Sequence, residues 1–170
     1  GGGTGLSTML RGLKHRSENI TAIVAVTDDG GGSGMLRKDL GMPPPGDVRN
    51  CLQALANTEP TMEELLAYRF SEGSLKGQSF GNLFLAALNG MSDTFDEAVR
   101  KMSDVLAITG RVLPVTNENV HLAAEFDDGT EVQGESKIAD FKQGTGKRIT
   151  KVKLVPERPR ALPMAIEAIE

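Results

Sequence analysis

Cysteine, histidine and long apolar runs are all scarce here, and each scarcity removes a class of protein. The single cysteine, Cys51, cannot form an internal disulfide, and nothing resembles a signal peptide, so a cytoplasmic setting is expected. Two histidines, His15 and His121, far apart in the chain, do not make a transition-metal site with that cysteine, and no Ser-His-Asp or Cys-His arrangement can be assembled. No apolar run approaches the roughly 20 residues needed to span a bilayer, so no membrane partner is expected. Positive charge is not in excess: the net charge is -4 with a pI near 5.3, which argues against a general nucleic-acid or anionic-membrane binder. There are no internal repeats. What remains is the ordinary mix of a globular protein, 39% apolar and 25% charged over 170 residues, one domain's worth of chain.

The informative stretch runs from Ile20 to Asn50. A β-branched apolar run (Ile20, Ile23, Val24, Val26) ends in Asp28 and Asp29, followed by Gly30, Gly31, Gly32, Ser33 and Gly34. An apolar run without two-fold alternation, closed by glycines, reads as a strand buried on both faces. In open α/β sheets the ligand crevice lies at the carboxyl ends of such strands. The paired acids and the glycine loop therefore stand where binding or chemistry is expected.

Before that strand, Gly1–Leu13 reads as a glycine-rich turn opening a helix, with Leu6, Met9, Leu10 and Leu13 on one apolar stripe. Gly2, Gly3, Thr4 and Gly5 permit close backbone approach at a helix N-terminus, an anion site with Thr8 where a third fingerprint glycine would fall. Such a loop normally hangs from a preceding strand. With a helical pattern that starts at Pro163 and stops at Glu170, the sequence reads as part of a longer chain. It would be a single partial nucleotide-binding domain over residues 1–170, lacking an N-terminal strand and a C-terminal part.

Beyond Gly34, Arg37 and Lys38 form a short basic segment, and Pro43–Pro45 is a rigid lead into Gly46-Asp47. Asp47 is a good N-cap for a helix burying Val48, Cys51, Leu52 and Leu55. Arg49 and Asn50 lie off that stripe and could grip a phosphate or a sugar. Capping boxes at Thr61–Glu64 and Thr94–Glu97 open two further helices. Gly81 and Asn82 sit at the start of a nearly all-apolar helix, where a plain cap is the simpler reading. Arg111–Val115 is a short strand. Val120–Phe126 and Thr130–Gln133 form a hairpin with one wet face, on which His121 is a surface residue. Lys147, Arg148, Lys151 and Lys153 read as a charged edge strand.

On the segments GGGTGLS (Gly1–Ser7), VTDDGGGSG (Val26–Gly34), PPGDVRNCLQAL (Pro44–Leu55), GNLFLAAL (Gly81–Leu88) and GES (Gly134–Ser136), the chain resembles the CofD-like family, most closely its YvcK branch, the gluconeogenesis factors. The resemblance implies a Rossmann-like three-layer α/β/α sandwich with a mostly parallel sheet and an added β-hairpin. It implies a regulator of growth and cell shape on gluconeogenic carbon sources that binds a nucleotide-sugar such as UDP-N-acetylglucosamine. The sister branch transfers 2-phospho-L-lactate to the coenzyme F420 precursor Fo with a divalent metal. Transferases of that branch carry Pro-Asp-Leu-Asp-Thr where this chain has Pro45–Asn50, which favours the YvcK side.

The expected ligand residues are Gly2, Gly3, Thr4, Gly5, Asp28, Asp29, Ser33, Gly34, Asp47, Arg49, Asn50, Gly81 and Asn82. Glycines at the first helix would approach the diphosphate, and Asp28 or Asp29 would hold sugar or base hydroxyls. No cofactor is required by this reading. In the transferase alternative, Asp28, Asp29 or Asp47 would hold Mg²⁺ beside a transferring phosphoryl group. A nicotinamide-dependent oxidoreductase needs only the first glycine loop and Asp28 and leaves Gly30–Asn50 unexplained. The expected partner is a UDP-sugar or another nucleotide, with no nucleic acid and room for a homo-oligomer.

Overall fold

The computed structural model describes residues 2–170. The apolar run after Ile20 forms strand β1 (Thr21–Val24), which pairs in parallel with β2 (Arg111–Pro114), Ala22 facing Val112 and Val24 facing Pro114. No further strand joins this sheet among the described residues. Both faces are covered, as the absence of alternation requires. Ala22, Val24 and Val112 enter the main core with residues of α3 (Gly46–Leu55), α5 (Phe80–Gly90) and α6 (Phe95–Val105). Ile23 and Leu113 turn to the opposite face against Leu162 and Ala165, the latter in α8 (Pro163–Glu167). This is the expected Rossmann-like α/β/α layering. Cys51 lies in the main core, and burial pushes its thiol up to about 11, with the charge of Asp47 adding to it.

A second, antiparallel sheet is ordered β4-β3-β5, built from β3 (His121–Phe126), β4 (Glu131–Gln133) and β5 (Ile149–Val155). The hairpin stands where the sequence puts it, and the basic segment forms the expected edge strand, with Lys153 Nζ 2.6 Å from Glu131. Helix α7 (Glu135–Thr145) is not anticipated by the sequence pattern. It presents Ile138 and Phe141 to Ala124 and Phe126 in a separate small core. No helix among the described residues is long and apolar enough to cross a membrane.

Several local expectations are corrected. Gly31–Leu40 is not a loop with a short basic tail but a helix, α2, whose first turn is Gly31-Gly32-Ser33-Gly34. Glycine disfavours helix by about 1 kcal/mol per residue, so a tertiary constraint must override the propensity. A Cβ at Gly32 would lie 2.8 Å from Gln78 Oε1, and one at Gly34 would collide with the Asp29 carbonyl. The turn is glycine-built because neighbouring chain passes against it.

Asp47 is not an N-cap: α3 begins at Gly46 after Pro45, which places Asp47 inside the first turn. Helix α4 (Pro60–Ala67) starts before the Thr61 box and makes no side-chain cap. At α6 the Thr94 hydroxyl does not cap, and Glu97 Oε2 accepts instead from the Asp93 N–H at 2.9 Å. Helix α1 (Gly3–Leu13) buries Leu10 but leaves Met9 and Leu13 exposed, so its stripe is only partly used.

The sequence places Arg37 only in a short basic segment, and the structure buries it. It is 4% exposed. Its Nε donates to Asn119 Oδ1 at 2.6 Å, its Nη1 to the carbonyls of Thr27 and Asp28 at 3.4 and 3.3 Å, and its Nη2 to the Val120 carbonyl. The guanidinium thus ties α2 to the end of the β1 segment and to the start of β3. Arg37→Met would leave the buried Val120 carbonyl without its donor, at about 1–3 kcal/mol, and would remove three further part-buried hydrogen bonds. Urea unfolding is expected to show a loss of roughly 3 kcal/mol or more for Arg37→Met. Lys38→Met, on the exposed side of the same turn, should stay within about 0.5 kcal/mol of the parent. Equal midpoints for the two variants would contradict this placement.

Candidate functional site

The chain leaving β1 reaches Asp28 and Asp29 beside the N-termini of α2 and α3. Asp28 Oδ1 accepts the Gly30 N–H at 2.9 Å just ahead of α2, and a Cβ on Gly46, at the start of α3, would lie 3.0 Å from its Oδ2. Ser33 Oγ, buried in the first turn of α2, accepts the Gly46 N–H at 3.1 Å and fastens the two helix ends together. Asp47 turns toward α1: a Cβ on Gly2 would stand 2.5 Å from its Oδ2, and its carboxylate accepts the Gly3 N–H. Helix α5 also starts here, its first turn capped by Ser79 Oγ, which accepts the Asn82 N–H at 3.3 Å.

Between these ends lies a cleft of about 190 Å³, lined by Asp28, Gly30–Ser33, Gly46, Asp47, Arg49, Asn50, Arg69 and Asn82. Arg49 is held in a fixed pose: Nε donates to Asn82 Oδ1 and Nη1 to Gln53 Oε1, each at 3.1 Å. Its stem lies against Gly81, where a Cβ would approach Arg49 Cδ to 2.8 Å. The plain-cap reading of Gly81 and Asn82 is therefore incomplete, because these residues also position the arginine. Arg69 is a further cation that the sequence pattern does not single out. It enters through the antiparallel bridge between Arg69 and Ser79, which closes the polar loop between them.

The predicted residues do not all meet. Asp28, Ser33, Asp47, Arg49, Asn50 and Asn82 share the cleft, with Gly2 and Gly3 against Asp47 and Gly81 behind Arg49. Thr4 and Gly5 lie on the exposed side of α1, and nothing stands within 4 Å of a Cβ built on Gly5. Asp29 and Gly34 face another cleft. Asp29 Oδ1 accepts the Ser136 N–H at 2.8 Å in the first turn of α7, and Oδ2 occupies the space a Cβ on Gly134 would need. Gly134 also has φ +105, so this tether requires glycine twice over. His121 is half-buried rather than a surface residue, its imidazole drawn below its ordinary range by burial and then by Arg37 and Lys137, against Asp29.

Glu135 is a carboxylate that sequence reasoning missed. Burial, followed by Asp28, Asp47 and Asp29, raises its carboxyl above the ordinary range, against a hydrogen bond with the Thr27 side chain. Like charges thus gather beside helix N-termini. Among the described residues no group of three or more His, Cys, Asp or Glu is placed to hold a metal ion by protein ligands alone. For the transferase reading, Asp28 and Asp47 remain one pair of oxygen donors to which a phosphate-bound Mg²⁺ could add. Asp29 is committed to the helix tether.

The cleft lies at the end of a parallel strand of an α/β protein, where ligand crevices of that class are found, and is ringed by helix N-termini and two arginines. The chain belongs to the CofD family: the family model described as 2-phospho-L-lactate transferase CofD matches residues 1–170. The gluconeogenesis factor of Bacillus subtilis is 52% identical over 170 residues, covering 99% of this chain and 52% of that protein. A relative from Clostridium acetobutylicum is 60% identical over 170 residues, covering all of this chain and 38% of its own length. The crystal structure of a UPF0052 family member from Bacillus halodurans superposes with a TM-score of 0.94 at 50% identity, over 99% of this chain and 53% of that one. The chain thus spans about half the length of these relatives, or less.

Asp47 carries a pH prediction. Burial and then Asp28 raise its carboxyl above the ordinary 3.8, against the Gly3 N–H and Arg49. A raised value in the folded state means that folding favours the protonated form, so the ionised carboxylate costs stability at neutral pH. Asp47→Asn is expected to be more stable than the parent at pH 7. The gain should fade as the pH falls through the ordinary carboxylate range, where the parent also holds the proton. Thermal unfolding of both proteins across that range checks this, and a variant less stable at pH 7 would contradict it.

Proposed function

We propose that this chain forms the nucleotide-binding part of a cytoplasmic regulatory protein whose ligand is a UDP-sugar, acting on growth and cell shape during gluconeogenesis. The observation that carries the reading is the convergence of the first turns of α2, α3 and α5 on one cleft, with the start of α1 against Asp47. Each helix end offers free N–H groups and roughly half an elementary positive charge. A diphosphate suits such a ring, with Arg49 and Arg69 supplying full charges. Asp28 and Asn50 would accept from and donate to sugar or base hydroxyls. The name of the Bacillus subtilis relative supports the regulatory side of the reading.

A second reading has its own support in the family description, which is that of a 2-phospho-L-lactate transferase. In it the same cleft holds a guanosine-phosphate donor with Mg²⁺ on Asp28 and Asp47. Against it stands Arg49-Asn50 in the segment where the transferase pattern has an acidic residue.

Calorimetry on the intact protein separates these readings. UDP-N-acetylglucosamine is expected to bind without added metal, and NAD is not. Arg49→Ala should weaken the sugar nucleotide about tenfold or more, the scale of a lost hydrogen bond to a charged group. Because Arg49 also bonds Gln53 and Asn82, some loss of melting temperature is expected beside it. A drop in melting temperature with unchanged affinity would make Arg49 purely structural. Binding of a guanosine diphosphate only, and only with Mg²⁺, would favour the transferase.

A further inference from the structure

A second cleft lies on the Asp29 side of the paired acids, between α2 and the antiparallel module. At about 440 Å³ it is more than twice the size of the first. Three elements wall it: α2 brings Arg37 and Lys38, β3 brings His121, and α7 brings Lys137, with Gln133 at the end of β4. The cationic residues are not neighbours on one helix face, where lysines are ordinarily only solvated. The fold assembles them from residues about a hundred positions apart in sequence.

The walls are fixed and the donors are not used up. Arg37 spends its guanidinium on Asn119 and the carbonyls of Thr27, Asp28 and Val120, which anchors α2 to the start of β3. Asp29 is turned to the Ser136 N–H, which anchors α7. Asp29 keeps its negative charge and is the one acid of this lining, while Arg37 adds to the positive charge of the two lysines. Among the described residues, Lys38 Nζ and Lys137 Nζ form no ion pair, and neither they nor the side chains of His121 and Gln133 make a hydrogen bond. On a chain of net charge -4, this concave patch has more positive than negative side chains.

We infer that this cleft is a second ligand site that binds the phosphate group of a small phosphorylated metabolite, separate from the nucleotide site. Lys38, Lys137 and His121 would meet the phosphate oxygens and Gln133 an adjoining hydroxyl. A phosphate is favoured over a single carboxylate because it presents more acceptor oxygens and up to two charges to these donors. The volume falls in the range of small-molecule sites and exceeds what a bare phosphate fills. The inference stands on this cleft alone and does not need the nucleotide reading.

The imidazole of His121 is the built-in reporter. The charged groups facing it are Arg37 and Lys137, which disfavour its protonation, and Asp29, which favours it; its strand partner on β5 is Val155. An anion seated between the lysines should therefore raise its pKa. In the intact protein, with the His121 resonance assigned by its loss in His121→Gln, inorganic phosphate is the probe. Phosphate is expected to shift the His121 ring signal saturably and raise its titration midpoint. Sodium chloride at matched ionic strength should not do so, and His15 should stay still.

Lys38→Ala and Lys137→Ala, both at exposed positions, should each weaken phosphate about tenfold or more while leaving UDP-N-acetylglucosamine affinity unchanged. An unmoved His121 signal, an equal effect of chloride, or full affinity in both lysine variants would overturn the inference. Displacement of phosphate by UDP-N-acetylglucosamine would overturn it too, since the cleft would then be an extension of the nucleotide site.

Discussion

A buried guanidinium organises the strand-end side of this protein. Burying a cation is costly unless its donors are matched, and Arg37 meets that condition only with α2 in one place. From there it reaches the carbonyls of Thr27 and Asp28 beyond β1 and the Val120 carbonyl and Asn119 side chain before β3. The segments that leave the parallel sheet and enter the antiparallel one are thereby tied together by this side chain, beside the Asp29 bond to α7. Gly32 and Gly34 in the first turn of α2 answer a second constraint, because Gln78 and the Asp29 carbonyl pass where their Cβ atoms would lie. Local helix propensity yields there to close packing of neighbouring chain.

That geometry divides the work of two adjacent carboxylates. Successive residues in extended chain point to opposite sides, so Asp28 faces the α2–α3 junction and Asp29 faces α7. Asp28 helps shape the cleft that we assign to a diphosphate; Asp29 fixes the module that walls the second cleft. The presence of Asp28, Asp47 and Glu135 near an anion site is not a contradiction. The partial charges of the helix ends, about half an elementary charge each, combine with Arg49 and Arg69 to offset the acids. The carboxyls of Asp47 and Glu135 are raised first by burial and then by the neighbouring acids.

Much of the fold was legible in the sequence, because apolar patterning is local. The doubly buried strand, the amphipathic helices α3 and α6, the hairpin and the charged edge strand all announce themselves by period. Helix α7 did not, since only Ile138 is buried on it and Phe141 partly so, too few positions to mark a stripe. Pro-Gly-Asp before an apolar run fits a capping Asp47, whereas the N-cap position falls on Pro45, two residues earlier. Of the candidate site, the residues grouped around Asp28, Asp47 and Arg49 were found from their position at the strand end. Arg37, His121 and Glu135 were not, because their roles depend on pairings across many tens of residues that no local pattern records, and Arg69 was not, because its isolated bridge to Ser79 lies in a polar loop without strand patterning. The separation of Asp28 from Asp29 likewise needed coordinates.

The central claim is that the helix N-termini around Asp28 and Asp47 hold the phosphates of a nucleotide-sugar. The most direct test is a crystal structure of the intact protein with UDP-N-acetylglucosamine. The account expects diphosphate oxygens within hydrogen-bond distance of N–H groups in the first turns of α2 and α3 and of the Arg49 guanidinium. A diphosphate bound away from those helix ends, with Arg49 still held only by Gln53 and Asn82, would contradict it.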